Sequence, residues 1–173
     1  YINFFIMRTI ARIDVKNEFV IKGINLEGLR KIGKPEKIIK DYYNNGIDEL
    51  LIIDSVASLY GRNNLFKLIK EITSEIFVPI TLGGGIRSLE DIENSLKSGA
   101  DKVAINSKAL EENNIINKTK KNFRETTIEI NIEAKKLSFE KWEPYKYCGR
   151  QKTNIDLEKW LKIIHDTGCG EIL

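Results

Sequence analysis

Residues 79–107 read PITLGGGIRSLEDIENSLKSGADKVAINS, and this stretch decides the fold. A short apolar segment leads into three glycines, an amphipathic segment runs from Ser88 to Gly99, and a second apolar segment ends at Asn106. Short apolar runs predict buried strands, whereas apolar residues three and four positions apart predict a helix. The stretch is therefore predicted to be one strand-helix-strand unit of a parallel sheet.

The glycine turn of this unit is a candidate anion site. Gly83, Gly84 and Gly85 lack a Cβ atom, so their backbone can adopt positive φ and bring N–H groups close to a phosphate. Asn106 and Ser107, at the end of the next strand, would add an amide and a hydroxyl at the same sheet edge. Glycines that serve only a tight turn are the structural alternative.

The same alternation extends in both directions along the chain. Further strands are predicted over residues 9–15, 49–54, 102–105, 127–132 and 170–173. Helices are predicted from Pro35 to Asn44, over 63–76, from Ser88, over 108–123 and over 156–167. Regular alternation of this kind predicts a parallel sheet, either doubly wound or closed as an eight-stranded barrel.

Two segments fall outside the alternation. Residues 16–33 form a long stretch divided by glycines, and loops of this length are usually functional or disordered. Residues 137–147 carry four aromatic side chains around Pro144, which suggests a small hairpin on top of the main sheet.

Right-handed crossovers place the carboxyl ends of all parallel strands on one face, which would receive Asp14, Asp54 and Glu133. Asp14 and Glu133 are candidates for a general acid and base pair, although solvated acids at strand ends are the alternative. Lys22, in the 16–33 segment, could reach over this face toward a phosphate, or it could simply face water.

Composition narrows the class of protein. The 173 residues are 42% hydrophobic and 31% charged, as in ordinary globular domains. The net charge of +3 is interspersed, so nucleic acid is not expected as a partner. No apolar run is long enough to span a membrane and no signal peptide is evident, so cytoplasmic residence is predicted. One histidine and two separated cysteines offer no metal-ligand spacing, so neither metal nor cofactor is expected.

The two ends of the chain also carry signals about the extent of the domain. Residues 1–6 precede Met7 and the first strand, and they are expected to be an upstream or tag extension. Residues 7–173 are predicted to form a single domain. Because the last residues, 170–173, look like the start of a strand, this domain is expected to be incomplete at its C-terminal end.

Six motifs together resemble one family. The segments are RTIARIDVK at 8–16, VIKG at 20–23, GIDEL at 46–50, TLGGGIR at 81–87, GADKVAINS at 99–107 and GCGEIL at 168–173. They resemble the cyclase subunit of imidazole glycerol phosphate synthase, a (β/α)8 barrel of histidine biosynthesis. The resemblance covers nearly the whole chain from Met7, and it implies a TIM barrel of which about strands one to six are present.

The resemblance implies roles for residues on the carboxyl-end face. Asp14 would be one catalytic acid or base, and Glu133 stands where the family usually has an aspartate. That departure moves the carboxylate outward by one methylene. Lys22 would belong to a mobile loop that closes over substrate. The other implied substrate and phosphate residues are Asp54, Gly84, Gly85, Asn106 and Ser107.

The opposite face carries a second set of matching residues. Arg8, Glu49, Lys102 and Glu171 correspond to the four charged residues that ring the entrance for ammonia, which a docked glutaminase subunit supplies. Without the resemblance, structural ion pairs would account for them equally well.

The function that the resemblance implies is that of a cyclase-type lyase. It would use ammonia to convert phosphoribulosyl-formimino-aminoimidazole carboxamide ribotide, a bis-phosphorylated small molecule, to imidazole glycerol phosphate and aminoimidazole carboxamide ribotide. One alternative is a cyclase-like protein for amidino modification of surface-polysaccharide sugars, which the departures at Arg12 and Glu133 would fit. The alternative from another class is a non-catalytic partial barrel or interaction fragment.

Overall fold

The structure is a computed structural model that describes residues 7–24, 27–57, 65–112 and 114–173. In chain order its strands are β1 (Ile10–Lys16), β2 (Phe19–Ile24), β3 (Glu27–Gly33), β4 (Glu49–Asp54), β5 (Ile80–Gly83), β6 (Lys102–Ile105), β7 (Ile128–Ile130), β8 (Glu133–Ser138), β9 (Lys141–Lys146), β10 (Gln151–Lys152) and β11 (Glu171–Ile172). Its helices are α1 (Pro35–Asn44), α2 (Phe66–Ile72), α3 (Leu89–Lys97), α4 (Ser107–Glu111), α5 (Asn114–Asn122) and α6 (Leu157–Thr167).

The aliphatic runs of the sequence pair into one sheet with the strand order β11-β7-β6-β5-β4-β1-β2-β3. From β11 to β1 every neighbouring pair is parallel, with Ile10 opposite Glu49 and Leu50 opposite Ile80. Helices connect these strands, as parallel pairing requires. The predicted α/β fold with a partial (β/α)8 barrel is confirmed.

Alternate side chains of the parallel strands point to opposite faces of the sheet, and the two faces pack in different clusters. On β4, Leu50 and Ile52 are fully buried in a cluster with residues of α1 and α2. The intervening Leu51 and Ile53 pack in a separate small cluster with Ala104 of β6. One face of the sheet therefore packs on helices while the other lines the inside of the curved sheet.

A second large cluster covers the later strands. Trp160 and Ile164 of α6 are fully buried against Ile128 and Ile130 of β7. The helix was predicted over 156–167, and its Leu161 is only partly buried. Burial of these large side chains fixes the outward face of β7 and, through the strand alternation, its inward face.

The strand-helix-strand unit at residues 79–107 forms as predicted. Ser88 caps α3, because its Oγ accepts a hydrogen bond from the Asp91 N–H at 3.1 Å and the Asp91 carboxylate accepts one from the Ser88 N–H at 3.0 Å. This reciprocal arrangement satisfies two N–H groups that a helix start leaves free. Gly99 then adopts a φ of +110° and turns the chain into β6.

Residues 16–33 correct the prediction of a long loop. Their described parts form a hairpin, β2 and β3, which extends the sheet antiparallel to β1 with Val15 opposite Val20. Asn17, with a φ of +56°, makes the tight turn after β1. The glycines at 23 and 33 suggested irregular chain, but the β-branched residues Val20 and Ile21 pair as a strand and are buried.

Other boundaries differ from the sequence pattern. The helix predicted over 108–123 is two helices, α4 and α5, and the strand predicted over 127–132 keeps only the three residues of β7 because a 3₁₀ turn precedes it. The predicted hairpin begins earlier, at Glu133, and β8, β9 and β10 make a three-stranded sheet of their own. Residues 1–6 and 63–64 lie outside the described part of the chain. In that part no helix has the length and apolar character needed to cross a bilayer.

A paired glycine substitution tests the packing at the carboxyl ends of β4 and β5. We expect Gly84→Ala to lower the free energy of unfolding by about 4 kcal/mol or more, because Gly84 has a φ of +92° and a Cβ atom would lie 2.2 Å from the Asp54 carbonyl oxygen. Gly46→Ala is the control. Its φ is +82° but the described atoms leave its Cβ position open within 4 Å, so only the backbone cost of about 1–2 kcal/mol is expected.

Urea unfolding of both variants and the parent, followed by circular dichroism, gives the two differences. Equal losses of stability in the two variants would contradict the close approach described here.

Candidate functional site

The carboxyl ends of the parallel strands surround two adjoining cavities, each of about 120 Å³. The first, which we call the glycine cavity, has an apolar part of its lining and a polar part. The apolar residues are Ile53, Ile86, Ala104 and Ile105, and the others are Asp54, Gly84, Gly85, Arg87, Asn106, Ser107, Lys108, Glu111, Asn131, Glu133, Tyr147 and Cys148. The second, the Arg12 cavity, is lined by Arg12, Asp14, Ile21, Gly23, Leu29, Ser55, Glu133, Cys148 and Arg150. Glu133 and Cys148 line both cavities, so they form the boundary between them.

The glycine turn packs directly on the loop that follows β4. Asp54 is buried, and its carboxylate accepts hydrogen bonds from the backbone N–H groups of Val56 and Ala57 at 3.0 and 2.9 Å. Gly85 has a φ of +73°, and a Cβ atom there would lie 2.6 Å from that of Ala57. Packing and backbone geometry therefore require both Gly84 and Gly85, whatever they bind. Asp54 lines the glycine cavity while its carboxylate holds this loop.

Asn106 and Ser107 connect the glycine cavity to the three-stranded sheet. The Asn106 amide donates to Glu133 at 3.2 Å and to the Tyr145 carbonyl at 3.1 Å. The Ser107 hydroxyl accepts from the Tyr147 N–H at 2.9 Å. The Asn106 Oδ1 atom is buried and has no hydrogen-bond partner among the described residues. Both residues lie where the sequence predicted them, and both also position the hairpin.

Two cations line this cavity that were not among the predicted site residues. Arg87 and Lys108 contribute to its lining. Arg87 donates through Nε to the Gly85 carbonyl at 3.1 Å, and Lys108 pairs with Glu112 at 2.9 Å. Two cations beside a glycine turn offer charge to an anion, in a lining that also holds the carboxyl groups of Asp54, Glu111 and Glu133. Arg87 directly follows the GGGI segment, so its neighbourhood to the turn was visible in the sequence.

The two predicted catalytic carboxylates come together across Arg12. The Arg12 guanidinium donates to Asp14 from Nε at 3.1 Å and from Nη2 at 3.0 Å, and the same Nη2 lies 3.9 Å from Glu133. The side chain of Glu133 is 8% exposed, against 36% for Asp14. The carboxylates thus share one cation but occupy different environments.

Burial has a consequence for the protonation of Glu133. Burial raises the pKa of Glu133, and the negative charge of Asp14 adds to that rise. Arg12, a backbone hydrogen bond from Gly149 and the Asn106 amide act in the opposite direction without cancelling it. Glu133 is therefore the carboxyl group that retains a proton more readily than an ordinary glutamate.

Lys22 is not brought to either cavity. Its neighbours Ile21 and Gly23 line the Arg12 cavity, but Lys22 alternates with them on β2 and its side chain is exposed. In this arrangement Lys22, which was predicted to approach substrate, faces away from both cavities.

Residues 147–149 form a turn beside the two cavities that was not predicted from the sequence. Tyr147, Cys148 and Gly149 all have a positive φ, between +54° and +74°. This turn brings the Cys148 thiol into the boundary between the cavities, where it donates to the Ser55 carbonyl at 3.0 Å. Burial raises the pKa of Cys148 to about 11, so the thiol is neutral. No periodicity or spacing of the sequence pointed to it.

At the opposite, amino-end face of the sheet, the four predicted ring residues meet. Lys102 Nζ lies 3.0 Å from Glu49 and 3.0 Å from Glu171, and Arg8 pairs with the same two carboxylates. The sequence therefore located these four residues in one ion-pair network.

A fifth member, Glu129, was missed. Its Oε1 atom lies 2.9 Å from Lys102 Nζ, and its side chain is 2% exposed. The alternation of Glu129, Asn131 and Glu133 along the TIEINIE segment was the available signal, because it places all three on one face. We call the five residues the charge cluster: Arg8, Glu49, Lys102, Glu129 and Glu171.

The charge cluster does not suit a metal ion. Oxygens of Glu49, Glu129 and Glu171 lie within 4.8 Å of one another. The ammonium group of Lys102, however, is 2.9–3.0 Å from each of these carboxylates, so the protein supplies its own cation at their centre. A metal ion would have to displace Lys102 from this position.

Comparison with known proteins gives one family. The sequence profile of the family described as histidine biosynthesis protein matches residues 8–173. The imidazole glycerol phosphate synthase subunit HisF of Legionella pneumophila is 44% identical over 167 residues, which cover 96% of this chain and 79% of that protein. The HisF subunits of Petrotoga mobilis and Bacillus cereus are 38% and 39% identical, over 96% of this chain and 66% of theirs.

The chain thus spans between two thirds and four fifths of the length of these relatives. With nearly all of its residues matched, it belongs to the histidine biosynthesis protein family, and its similarity is to HisF subunits of imidazole glycerol phosphate synthase.

Proposed function

We propose that this chain acts as the cyclase subunit of an imidazole glycerol phosphate synthase. It would use ammonia to convert phosphoribulosyl-formimino-aminoimidazole carboxamide ribotide to imidazole glycerol phosphate and aminoimidazole carboxamide ribotide. The observation that carries the proposal is the pairing of Asp14 and Glu133 beside a glycine-lined cavity that holds Arg87 and Lys108, in a member of this family. The substrate is anionic and needs proton transfers, and the two cavities offer groups for both.

The two carboxyl groups would divide the proton transfers. Glu133 is buried and its pKa is raised, which suits a general acid. Asp14 is more exposed and accepts hydrogen bonds from two nitrogens of Arg12, and we assign it the role of general base. The neutral Cys148 thiol between the cavities would contact substrate without competing for the proton.

One phosphate group of the substrate would lie in the glycine cavity. Arg87 and Lys108 would supply charge, and the turn of Gly84 and Gly85 would let the phosphate approach the backbone closely. The unpaired Oδ1 of Asn106 is an acceptor that a substrate hydroxyl or amine would satisfy. Asp54 and Ser107 would keep the residues that line the glycine cavity in position. Lys22 would reach substrate only if the β2–β3 hairpin closed.

Ammonia would enter at the charge cluster on the amino-end face. A glutaminase subunit docked there would supply it, as the predicted match of Arg8, Glu49, Lys102 and Glu171 to the ammonia entrance implies. The named relatives are subunits of a synthase, which supports a partner subunit. We place this assembly in the cytoplasm, with no nucleic acid, membrane, metal or organic cofactor required by the chemistry.

One observation favours a second candidate. Arg12 contacts Asp14 directly and lies 3.9 Å from Glu133, so this acid pair carries a built-in cation. Such a site would also fit a cyclase-like enzyme for amidino modification of surface-polysaccharide sugars. Complementation separates the two candidates, because only the histidine-pathway enzyme would restore growth of a strain that lacks its cyclase.

Removal of the carboxylate of Asp14 tests the general base. We expect Asp14→Asn in the intact protein to lower kcat by roughly 10²–10⁴-fold, because the amide cannot accept a proton. Steady-state assay with an ammonium salt measures this without a glutaminase partner. Asp166→Asn, on exposed α6, is the control and should leave turnover unchanged. Wild-type turnover in Asp14→Asn would rule out the assigned role.

The raised pKa of Glu133 predicts the direction of the pH profile. A general acid must be protonated, so kcat/KM should be high below the pKa of Glu133 and fall as the pH rises through that pKa. The fall should occur at a pH above the ordinary glutamate range. Arg12→Gln removes a charge that lowers this pKa, so the falling limb should move to higher pH. Arg124→Gln, which removes an exposed arginine outside the lining of either cavity, should not move it.

The pH dependence of kcat/KM for the three proteins makes the comparison. A limb that moves to lower pH in Arg12→Gln, or that stays unmoved, would show that another group is being titrated.

A further inference from the structure

Glu129 occupies an unusual place in the charge cluster. It is the middle residue of β7, opposite Ala104 of β6 and Glu171 of β11, and it is 1% exposed. One carboxylate oxygen, Oε1, receives Lys102 at 2.9 Å. The other oxygen, Oε2, is buried and has no hydrogen-bond partner among the described residues. A buried carboxylate oxygen without a donor is costly, so the site calls for a proton or a small donor at Oε2.

The charge balance of the cluster points the same way. Arg8 and Lys102 supply two positive charges, and Glu49, Glu129 and Glu171 supply three negative charges when all are ionised. Two against three leaves one excess negative charge. The four predicted ring residues alone would balance, so Glu129 is the member that creates room for one more proton or one small cation.

The environments of Glu129 and Glu171 indicate which of the two carboxylates binds a proton more readily. Burial raises the pKa of Glu129, the neighbouring Glu171 raises it further, and Lys102 opposes both without reversing the rise. Burial also acts to raise the pKa of Glu171, but hydrogen bonds and charges from Lys102 and Arg8 outweigh it and the pKa of Glu171 is lowered. Glu129 and Glu171 therefore form a pair in which Glu129 is the better proton acceptor.

An apolar layer lies above the cluster on the inner face. Leu51 and Ile53 of β4 pack there with Ala104 of β6, and Leu173 contacts them. An ammonium ion would have to lose its water to pass such a layer, which is strongly unfavourable for an unpaired charge. Neutral ammonia carries no such penalty. The proton must therefore be removed at the charge cluster if ammonium from solvent is the source.

We propose that Glu129 is the proton acceptor at the ammonia entrance, and that it passes the proton on to Glu171. This inference rests on the proposed function. An N–H bond of ammonium breaks with its electron pair left on nitrogen, and an O–H bond forms at Oε2 of Glu129. The products are neutral ammonia and a neutral carboxyl group. The proton then moves to Glu171, whose side chain is 25% exposed, and from there to water, which restores the Glu129 carboxylate.

The position of Lys102 explains how ammonium would be recognised. Its ammonium group is chemically the same as the ion to be bound, and the three carboxylates already hold it at 2.9–3.0 Å. Displacement of Lys102 toward solvent would expose a cradle of the same carboxylate oxygens, which would then accept hydrogen bonds from free ammonium. The excess negative charge, which disappears when Glu129 is protonated, would favour entry of the cation and release of the neutral product.

The test combines titration and turnover in the intact protein. Carbon-13 NMR of labelled glutamate carboxyl groups should show, in addition to the resonance of Glu133, a resonance that titrates above the ordinary glutamate range and that is lost in Glu129→Gln. Glu171→Gln should lower the pKa of that resonance, because Glu171 raises it. Glu143→Gln, which changes a buried glutamate of the three-stranded sheet, is the matched control and should leave the resonance in place.

Turnover with ammonium chloride gives the second readout. Glu129→Gln should lower kcat/KM for ammonium roughly a hundredfold where ammonium ion predominates, and the loss should shrink as rising pH supplies free ammonia. The KM for the phosphorylated substrate should not change. A purely structural role would lower activity equally at every pH.

The outcomes are separable. Loss of the resonance together with a pH-rescued ammonium defect supports the relay. An active wild-type protein in which Glu129→Gln uses ammonium normally, or in which no such resonance exists, overturns it while leaving the cyclase assignment intact. A wild-type protein without cyclase turnover overturns the proposed function, and the relay falls with it. If Glu129→Gln does not fold, Glu171→Gln carries the same two readouts.

Discussion

The period of two along a β-strand is the constraint on which this structure depends. In β7 the outward residues Ile128 and Ile130 are fully buried against Trp160 of α6. Because these isoleucines face outward, the alternating residues Glu129 and Asn131 must face inward. Glu133, which follows the strand, lies on the same inner face. A slip of one residue would bury three polar groups among helices and expose three apolar ones. Packing of the outward apolar side chains of β7 against α6 thus determines which polar side chains face the inside of the curved sheet.

The inner face is organised in levels because all the parallel strands share this alternation. At the amino ends, the charge cluster gathers charges around Lys102, which holds three carboxylates at once. Above it lies the small apolar group of Leu51, Ile53 and Ala104. At the carboxyl ends, Asp14 and Glu133 meet across Arg12. An apolar level thus separates two polar ones, and burial weakens the screening of the charges by solvent.

The upper level depends on contacts between parts of the chain that are far apart in sequence. Asn106 donates to both Glu133 and the Tyr145 carbonyl, and Ser107 accepts from the Tyr147 N–H. Through these bonds the three-stranded sheet covers Glu133 and brings the Cys148 thiol beside it. Coverage of this kind explains the raised pKa of Glu133, because its largest cause is the loss of solvent.

The sequence by itself determined the elements and the faces. Periodicity located the parallel strands and most helices, Ser88 marked the start of α3, and the glycine turn, Asp14, Asn106, Glu133 and the four ring residues were placed at the correct ends of their strands. Only the tertiary structure decided which of these groups are partners. It set Arg12 between two carboxylates, made Glu129 the fifth member of the charge cluster and left Lys22 exposed. The reason is physical: alternation along one strand is a local property, whereas burial, charge balance and pKa depend on neighbours contributed by other strands.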